Sequence, residues 1–163
     1  TRLLLKRTLV AGHGSFLLPG ASSFGGDMTP GDPSLSDSTY AERVTLTPAA
    51  EQLLQKLAAR HGPLMFHQSG GCCDGSSPMC YPRGEFHLGA QDVKLGEVAG
   101  HPFWMSASQF EYWQHTHLTV DVVPGRGSGF SVEAPEGVRF LIRSRLFTPQ
   151  EEEQLRPVER GDH

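Results

Sequence analysis

The pattern of apolar and polar positions is clearest in the segment RVTLTPAAEQLLQKLAARHGP, at residues 43–63. Apolar side chains recur along it at the spacing of one helix face. Thr47 is a helix-capping residue type, Pro48 suits the first helical position, and Gly62 favours the end of a helix. The pattern predicts an amphipathic helix after Thr47, preceded by a short strand at 44–46.

After this helix, the apolar positions alternate with polar ones, which is typical of β-strands. Seven segments bounded by glycine-bearing turns predict strands: PLMFHQ, EFHLG, VKLGEV, HPFWMS, HLTVDVVPG, GFSVEAPEG and VRFLIRSRLF. Ser106 and Gln109 form a capping-box pattern before a short helix, and Thr148 precedes a final helical turn. We therefore predict the α+β class, with a small mixed β-sheet core, one N-terminal helix and a short middle helix.

Composition narrows the choice of partner. The 163 residues are 37% hydrophobic and 20% charged, with a net charge of −4. No basic excess is present to bind a phosphate backbone, and no apolar run reaches the length of a membrane span. We expect no nucleic acid and no membrane among the partners, and a cytoplasmic location.

The chain divides into three parts by composition. We predict a disordered N-terminal extension at 1–40, a domain at 41–150 and a charged C-terminal tail at 151–163. Met28 offers a shorter start within the extension, and a signal or transit peptide is the alternative interpretation of its first residues.

Every cysteine of the chain falls within HQSGGCCDGSSPMC, residues 67–80. An odd, clustered set does not suit a disulfide framework and fits a reducing compartment with metal or redox chemistry. Thiolates bind soft and borderline metals, and imidazole adds a compatible nitrogen donor. Two further histidines, two residues apart, would share one face of a strand. The candidate metal ligands are Cys72, Cys73, Cys80, His67, His87, His115 and His117.

Two other functions stay open at this point. Cys72 or Cys73 could be an activated nucleophile that attacks an aldehyde, a disulfide or a peroxide, or forms a mixed disulfide with a partner thiol. Alternatively, the aromatic segment FWMSASQFEYW docks a partner protein, and the cysteines serve only as small buried apolar residues.

Long stretches of the chain resemble a bacterial family known only as a domain of unknown function. The resemblance covers roughly Val44 to Phe147 and is carried by RHGPLMFHQSGGCCDGSSPMCYP, PFWMSASQFEYWQHT and DVVPGRGSGFSVEAPEGVRFLIRSRLF. Members are often encoded beside aldehyde dehydrogenases. The resemblance therefore implies an aldehyde dehydrogenase as partner and a task accessory to aldehyde or alcohol oxidation.

A more distant resemblance is to the HesB-like A-type iron–sulfur carriers. It is carried by VTLTPAAEQLLQKL, SGGCCDG and GSGFSVEAP, in that order. It implies a HesB-like fold, a homo-oligomer, and Cys72 or Cys73 as a ligand to iron or an iron–sulfur cluster. Those carriers add a Cys-x-Cys pair where this chain has EGVRFLIRSRLF. We therefore expect relocated ligands in an accessory protein that binds iron, zinc or a labile iron–sulfur cluster, and leave open whether it is also an enzyme.

Overall fold

The computed structural model describes residues 40–71, 73–127 and 129–161. The predicted N-terminal extension, apart from Tyr40, lies outside these ranges, and so does Cys72. The described part is α+β, with two mixed β-sheets and three α-helices, which confirms the predicted class. None of the helices in these ranges is both long and apolar enough to cross a membrane.

The secondary-structure elements of the described ranges follow one another closely along the chain. In order they are β1 (Val44–Leu46), α1 (Pro48–His61), β2 (Leu64–Gln68), β3 (Met79–Pro82), β4 (Asp92–Val98), β5 (His101–Ser106), α2 (Ala107–Trp113), β6 (Thr116–Pro124), a 3-10 turn (Ala134–Glu136), β7 (Val138–Leu146), α3 (Pro149–Glu153) and β8 (Glu159–Arg160).

Helix α1 forms where the sequence predicted it. The Thr47 side chain caps it by accepting a hydrogen bond from the Ala50 N–H at 3.2 Å. Gly62 ends it with a φ of 78°, a left-handed conformation that suits glycine. The helix buries Ala50, Leu54 and Leu57 completely, so one apolar face fixes its position in the core.

The strands form two sheets rather than one. One has the order β1-β6-β7, with β1 parallel to β6, and the other has the order β3-β2-β5-β4-β8, with β2 parallel to β5. The remaining pairs are antiparallel, so the predicted mixed character is confirmed. Phe66 of β2 stacks on Phe103 of β5 at 5.7 Å and meets Phe140 of β7 edge-on at 5.0 Å. The core therefore lies between the two sheets.

Both short helices begin at capping residues. Ser106 accepts a hydrogen bond from the Gln109 N–H at 3.3 Å, but the Gln109 side chain does not complete the predicted box, since its buried Oε1 has no partner within the described residues. Thr148 and Glu151 form a complete capping box at α3.

Two strand predictions are wrong. EFHLG is a turn, because Phe86 folds over the five-stranded sheet and packs against His67 at 4.4 Å and Tyr81 at 5.0 Å. GFSVEAPEG contains turns and a 3-10 segment, because the polar side chains of Ser131 and Glu133 are buried and bond to each other. Strands β3 and β8 were not predicted, and β8 brings residues of the predicted tail onto β4.

Candidate functional site

The cysteine loop, residues 69–78, connects β2 to β3 and is anchored at several points. Trp113 of α2 donates its indole N–H to the Gly71 carbonyl at 3.3 Å. Further along, Asp74 accepts hydrogen bonds from the backbone and the hydroxyl of Ser144. The Gly75 N–H donates to the Ile142 carbonyl at 2.6 Å. The described part of the loop is therefore attached to β7 and to α2.

The described part of the loop closes on itself, with Gly71 and Cys73 both close to Ser76. Gly71 has a φ of 95°, and a Cβ atom there would lie 2.3 Å from the Ser76 hydroxyl, so this approach requires glycine. Ser76 in turn donates its N–H and its hydroxyl to the Cys73 carbonyl at 3.2 and 2.7 Å. Cys73 is exposed on this closed turn.

Cys80 has a different environment from Cys73. It lies in β3 opposite Phe66 and is fully buried on the core face of the sheet. Burial, and then the negative charge of Glu133, raises the pKa of its thiol. The thiol is therefore held in its protonated form, which is a poor nucleophile and a poor metal ligand.

His67 lies on the opposite face of the same sheet, because neighbouring strand residues alternate in direction. Its Nε2 is 2.9 Å from Asp92 Oδ1, and its Nδ1 is 2.8 Å from Ser69 Oγ. The imidazole is buried, with the Phe86 ring over it. Both ring nitrogens are therefore already in hydrogen bonds, and metal binding would break one of them.

Of the other candidate histidines, only His117 lies in a strand. His87, between β3 and β4, is exposed and lines a cavity, and His115, in the turn before β6, has its Nδ1 3.2 Å from Glu152 Oε1. His117 of β6 is half-buried, with its Nε2 at 3.4 Å from Thr45 Oγ1. Burial, and then the charge of nearby Arg145, lowers the pKa of His117.

The described ranges contain no group of three or more His, Cys, Asp or Glu side chains placed to hold a metal ion. The predicted ligands within them are spread over the core, the outer sheet face and the connections around β6, and Cys72 lies outside them. The sequence did not indicate Asp92 or Ser69. The position of Ser69, two residues after His67, was the one local sequence signal of the hydrogen bonds that join Ser69, His67 and Asp92.

A cavity of about 430 Å³ lies on the outer face of the five-stranded sheet. Its size is within the range of small-molecule sites. The lining is mostly apolar, with charged groups among it, and includes Met65, Arg83, Phe86, Lys94 and Trp104. Lys94 is 3.0 Å from Glu97, so its charge is already paired.

Comparison with curated proteins gives no match. A family model, described as a domain of unknown function (DUF779), matches residues 53–146. The matched region runs from inside α1 to the end of β7 and so includes the whole cysteine loop. The chain belongs to this family of proteins, the domain of unknown function DUF779.

Proposed function

We propose that the protein acts through its adjacent thiols, Cys72 and Cys73, by forming reversible mixed disulfides with a partner protein. The observation that carries the proposal is the exposure of Cys73 on a turn fixed to β7. A thiol held on a fixed, exposed turn is accessible to a large partner at little ordering cost. Cys80, which is buried with a raised pKa, is excluded from this role.

The surroundings of the loop include a positive charge. Arg139 of β7 donates from Nη1 to the Ser77 hydroxyl at 2.7 Å and to the Gly75 carbonyl at 3.3 Å. Its guanidinium therefore lies along the loop that carries Cys73. The guanidinium holds the part of the loop that follows Cys73 in place against β7.

The proposed step is a thiol–disulfide exchange. The Cys73 thiolate attacks one sulfur of a partner disulfide, forms a new S–S bond with it, and displaces the other sulfur as a thiolate. No external oxidant or reductant is needed, because one disulfide is exchanged for another. Attack by the displaced partner thiolate on the partner sulfur reverses the step, whereas attack by another thiol on the Cys73 sulfur forms a new disulfide at Cys73 and releases the partner cysteine as a thiolate.

We propose an aldehyde dehydrogenase as the partner and a cytoplasmic task accessory to aldehyde or alcohol oxidation. Support for this comes from the resemblance to a family encoded beside such enzymes. A partner cysteine held in a disulfide is protected from irreversible oxidation to the sulfinic and sulfonic acids, and exchange with Cys73 returns its sulfur to the thiol form.

The test compares thiol reactivity in the full chain, purified under anaerobic conditions. We expect iodoacetamide and oxidised glutathione to modify Cys73 rapidly and Cys80 only after unfolding, as measured by peptide mass spectrometry. Cys73→Ser should remove the fast reaction, whereas Cys80→Ala, the matched control, should leave it unchanged. Wild-type Cys73 that is as slow as Cys80 would overturn the proposal.

Metal analysis of the same preparations tests the earlier expectation of iron, zinc or an iron–sulfur cluster. Near-stoichiometric metal in the wild type that disappears in a Cys72→Ser/Cys73→Ser variant would replace the exchange proposal with metal binding. Acid-labile sulfide would separate a cluster from a single ion. Metal-free protein with a fast Cys73 supports thiol exchange.

A further inference from the structure

A chain of hydrogen bonds at the entrance of the cysteine loop joins a serine, a histidine and an aspartate. Ser69 Oγ is 2.8 Å from His67 Nδ1, and His67 Nε2 is 2.9 Å from Asp92 Oδ1. The second carboxylate oxygen of Asp92 accepts the Gly89 N–H at 2.7 Å. Both oxygens of the aspartate are therefore bonded, which fixes its orientation.

The carboxylate determines the tautomer of the histidine. An ionised carboxylate only accepts hydrogen bonds, so the proton of a neutral His67 lies on Nε2. Nδ1 then carries a lone pair, and the Ser69 hydroxyl donates to it. The ring is held in this orientation because it is only 4% exposed and lies under Phe86 at 4.4 Å.

We propose that Ser69 is the nucleophile of an acyl-transfer site that hydrolyses small esters, with His67 as its general base. A base within hydrogen-bond reach of an alcohol, itself oriented by a carboxylate, is the arrangement that activates serine. Asp92 is a positioning residue that holds the imidazole and fixes its tautomer. This site is independent of the thiol exchange proposed above.

The reaction proceeds in two balanced halves. The Ser69 oxygen bonds to the ester carbonyl carbon while its proton moves to His67 Nδ1. The ester C–O bond then breaks, and His67 returns the proton to the leaving alkoxide, which leaves the acyl group on Ser69. Water repeats the sequence, releases the carboxylic acid and restores the serine.

Access favours a small acyl group. Ser69 and Gly70 are exposed, and apart from the two chain neighbours of Gly70 no heavy atom of the described residues lies within 4 Å of a Cβ built there. A carbonyl carbon can therefore approach the hydroxyl directly from solvent. The apolar cavity beyond Phe86 does not include Ser69, so we assign short-chain esters such as acetates.

The experiment measures hydrolysis of p-nitrophenyl acetate by the full chain. A Cys72→Ser/Cys73→Ser background excludes acylation of the loop thiols. In that background, Ser69→Ala should lower kcat/KM by about 100-fold or more, the usual contribution of a positioned base and its nucleophile. Since Ser69 is exposed, this variant should fold normally. Asp92→Asn should lower kcat with little change in KM, because an amide donor reverses the tautomer of His67.

A second measurement does not depend on any variant. A fluorophosphonate probe should label the wild-type protein at Ser69, as located by peptide mass spectrometry. Labelling at Ser69 together with a Ser69-dependent rate supports the proposal. Absence of labelling, or a rate that Ser69→Ala leaves unchanged, would overturn it. If Cys72→Ser/Cys73→Ser with Ser69 intact no longer hydrolyses the ester, the acyl-transfer proposal would be overturned as well. The thiol-exchange proposal would not be affected.

Discussion

At the scale of single residues, the glycines of the cysteine loop have different tasks. Gly71→Ala should lower the free energy of unfolding most, because it combines a φ of 95° with a Cβ only 2.3 Å from the Ser76 hydroxyl. In Gly75→Ala, the new Cβ has no atom within 4 Å apart from its chain neighbours, but the residue keeps a φ of 89°. The loss of unfolding free energy should therefore come from the left-handed strain alone, about 1–2 kcal/mol. Gly70→Ala is the control. Urea unfolding measures all three.

The order of these costs tests the closed form of the loop. Gly70 has neither a positive φ nor a close neighbour, so its substitution should be within about 0.5 kcal/mol of neutral. Equal costs for the Gly71 and Gly75 variants would show that the approach of Gly71 to Ser76 does not occur in solution.

At the scale of elements, the sequence predicted those whose apolar pattern matches their burial. Helix α1 has its predicted cap and its apolar face, and β5 and β6 have the predicted alternation, whereas all five residues of β2 are buried. EFHLG and GFSVEAPEG have the same alternation, but neither forms a strand, and only Ser131 and Glu133 among their residues are buried. Phe86 covers a sheet face, and Glu133 turns inward. Alternation of apolar and polar residues indicates which side chains can face the core. Whether a strand forms depends on a neighbouring segment whose backbone can hydrogen-bond to it.

The candidate site was predictable only in part, because some of its contacts depend on which strands pair. The sequence correctly indicated a loop bearing the adjacent cysteines. It could not place Cys80, since its burial depends on β3, whose pattern is too short to recognise. It could not join His67 to Asp92 either, because their contact depends on strands β2, β5 and β4 lying side by side.

The capping box of α3 supplies a pH-dependent prediction at this scale. Arg145 and the Thr148 backbone lower the pKa of Glu151 from 4.5 to about 2. A depressed carboxyl pKa adds stability above pH 4.5, and this stability is lost as the pH falls towards 2. Glu151→Gln should therefore reduce the loss of unfolding free energy on acidification, as measured by urea unfolding. Glu153→Gln is the control, because it removes the same charge from the same helix and leaves the capping box in place.

If Glu151→Gln and Glu153→Gln lost the same unfolding free energy on acidification, the predicted effect of the α3 cap would be wrong. Thr148→Ala should cost about 1 kcal/mol at neutral pH, since it removes the acceptor for the Glu151 N–H at 3.2 Å.

At the scale of the whole molecule, a buried polar network joins the two sheets. The Cys80 N–H of β3 donates to the Ser131 hydroxyl at 2.8 Å, and Ser131 donates to the Glu133 carboxylate. The backbone of Phe140 in β7 also interacts favourably with the Glu133 carboxylate. These hydrogen bonds favour the charged carboxylate, but burial outweighs them and raises the pKa of Glu133.

The raised pKa predicts that the Glu133 contribution to stability decreases as pH increases. Above pH 4.5 the unfolded chain loses this proton while the folded protein retains it, so the free energy of unfolding falls as the pH rises through the folded pKa. His101 and His117, whose pKa values are lowered by burial, act in the opposite direction below pH 6.5. Their effect is common to the wild type and Glu133→Gln, so it cancels in the difference between the two.

Urea unfolding of both proteins from pH 4.5 to neutrality measures this difference directly. The wild type should lose stability relative to Glu133→Gln as the pH rises, because the variant has no carboxyl group to ionise in the core. A difference that stays constant over this interval would mean that Glu133 ionises equally easily in the folded and unfolded chains. The hydrogen bonds of the network would then fully offset the cost of burying the carboxylate, and the prediction of a raised pKa would be wrong.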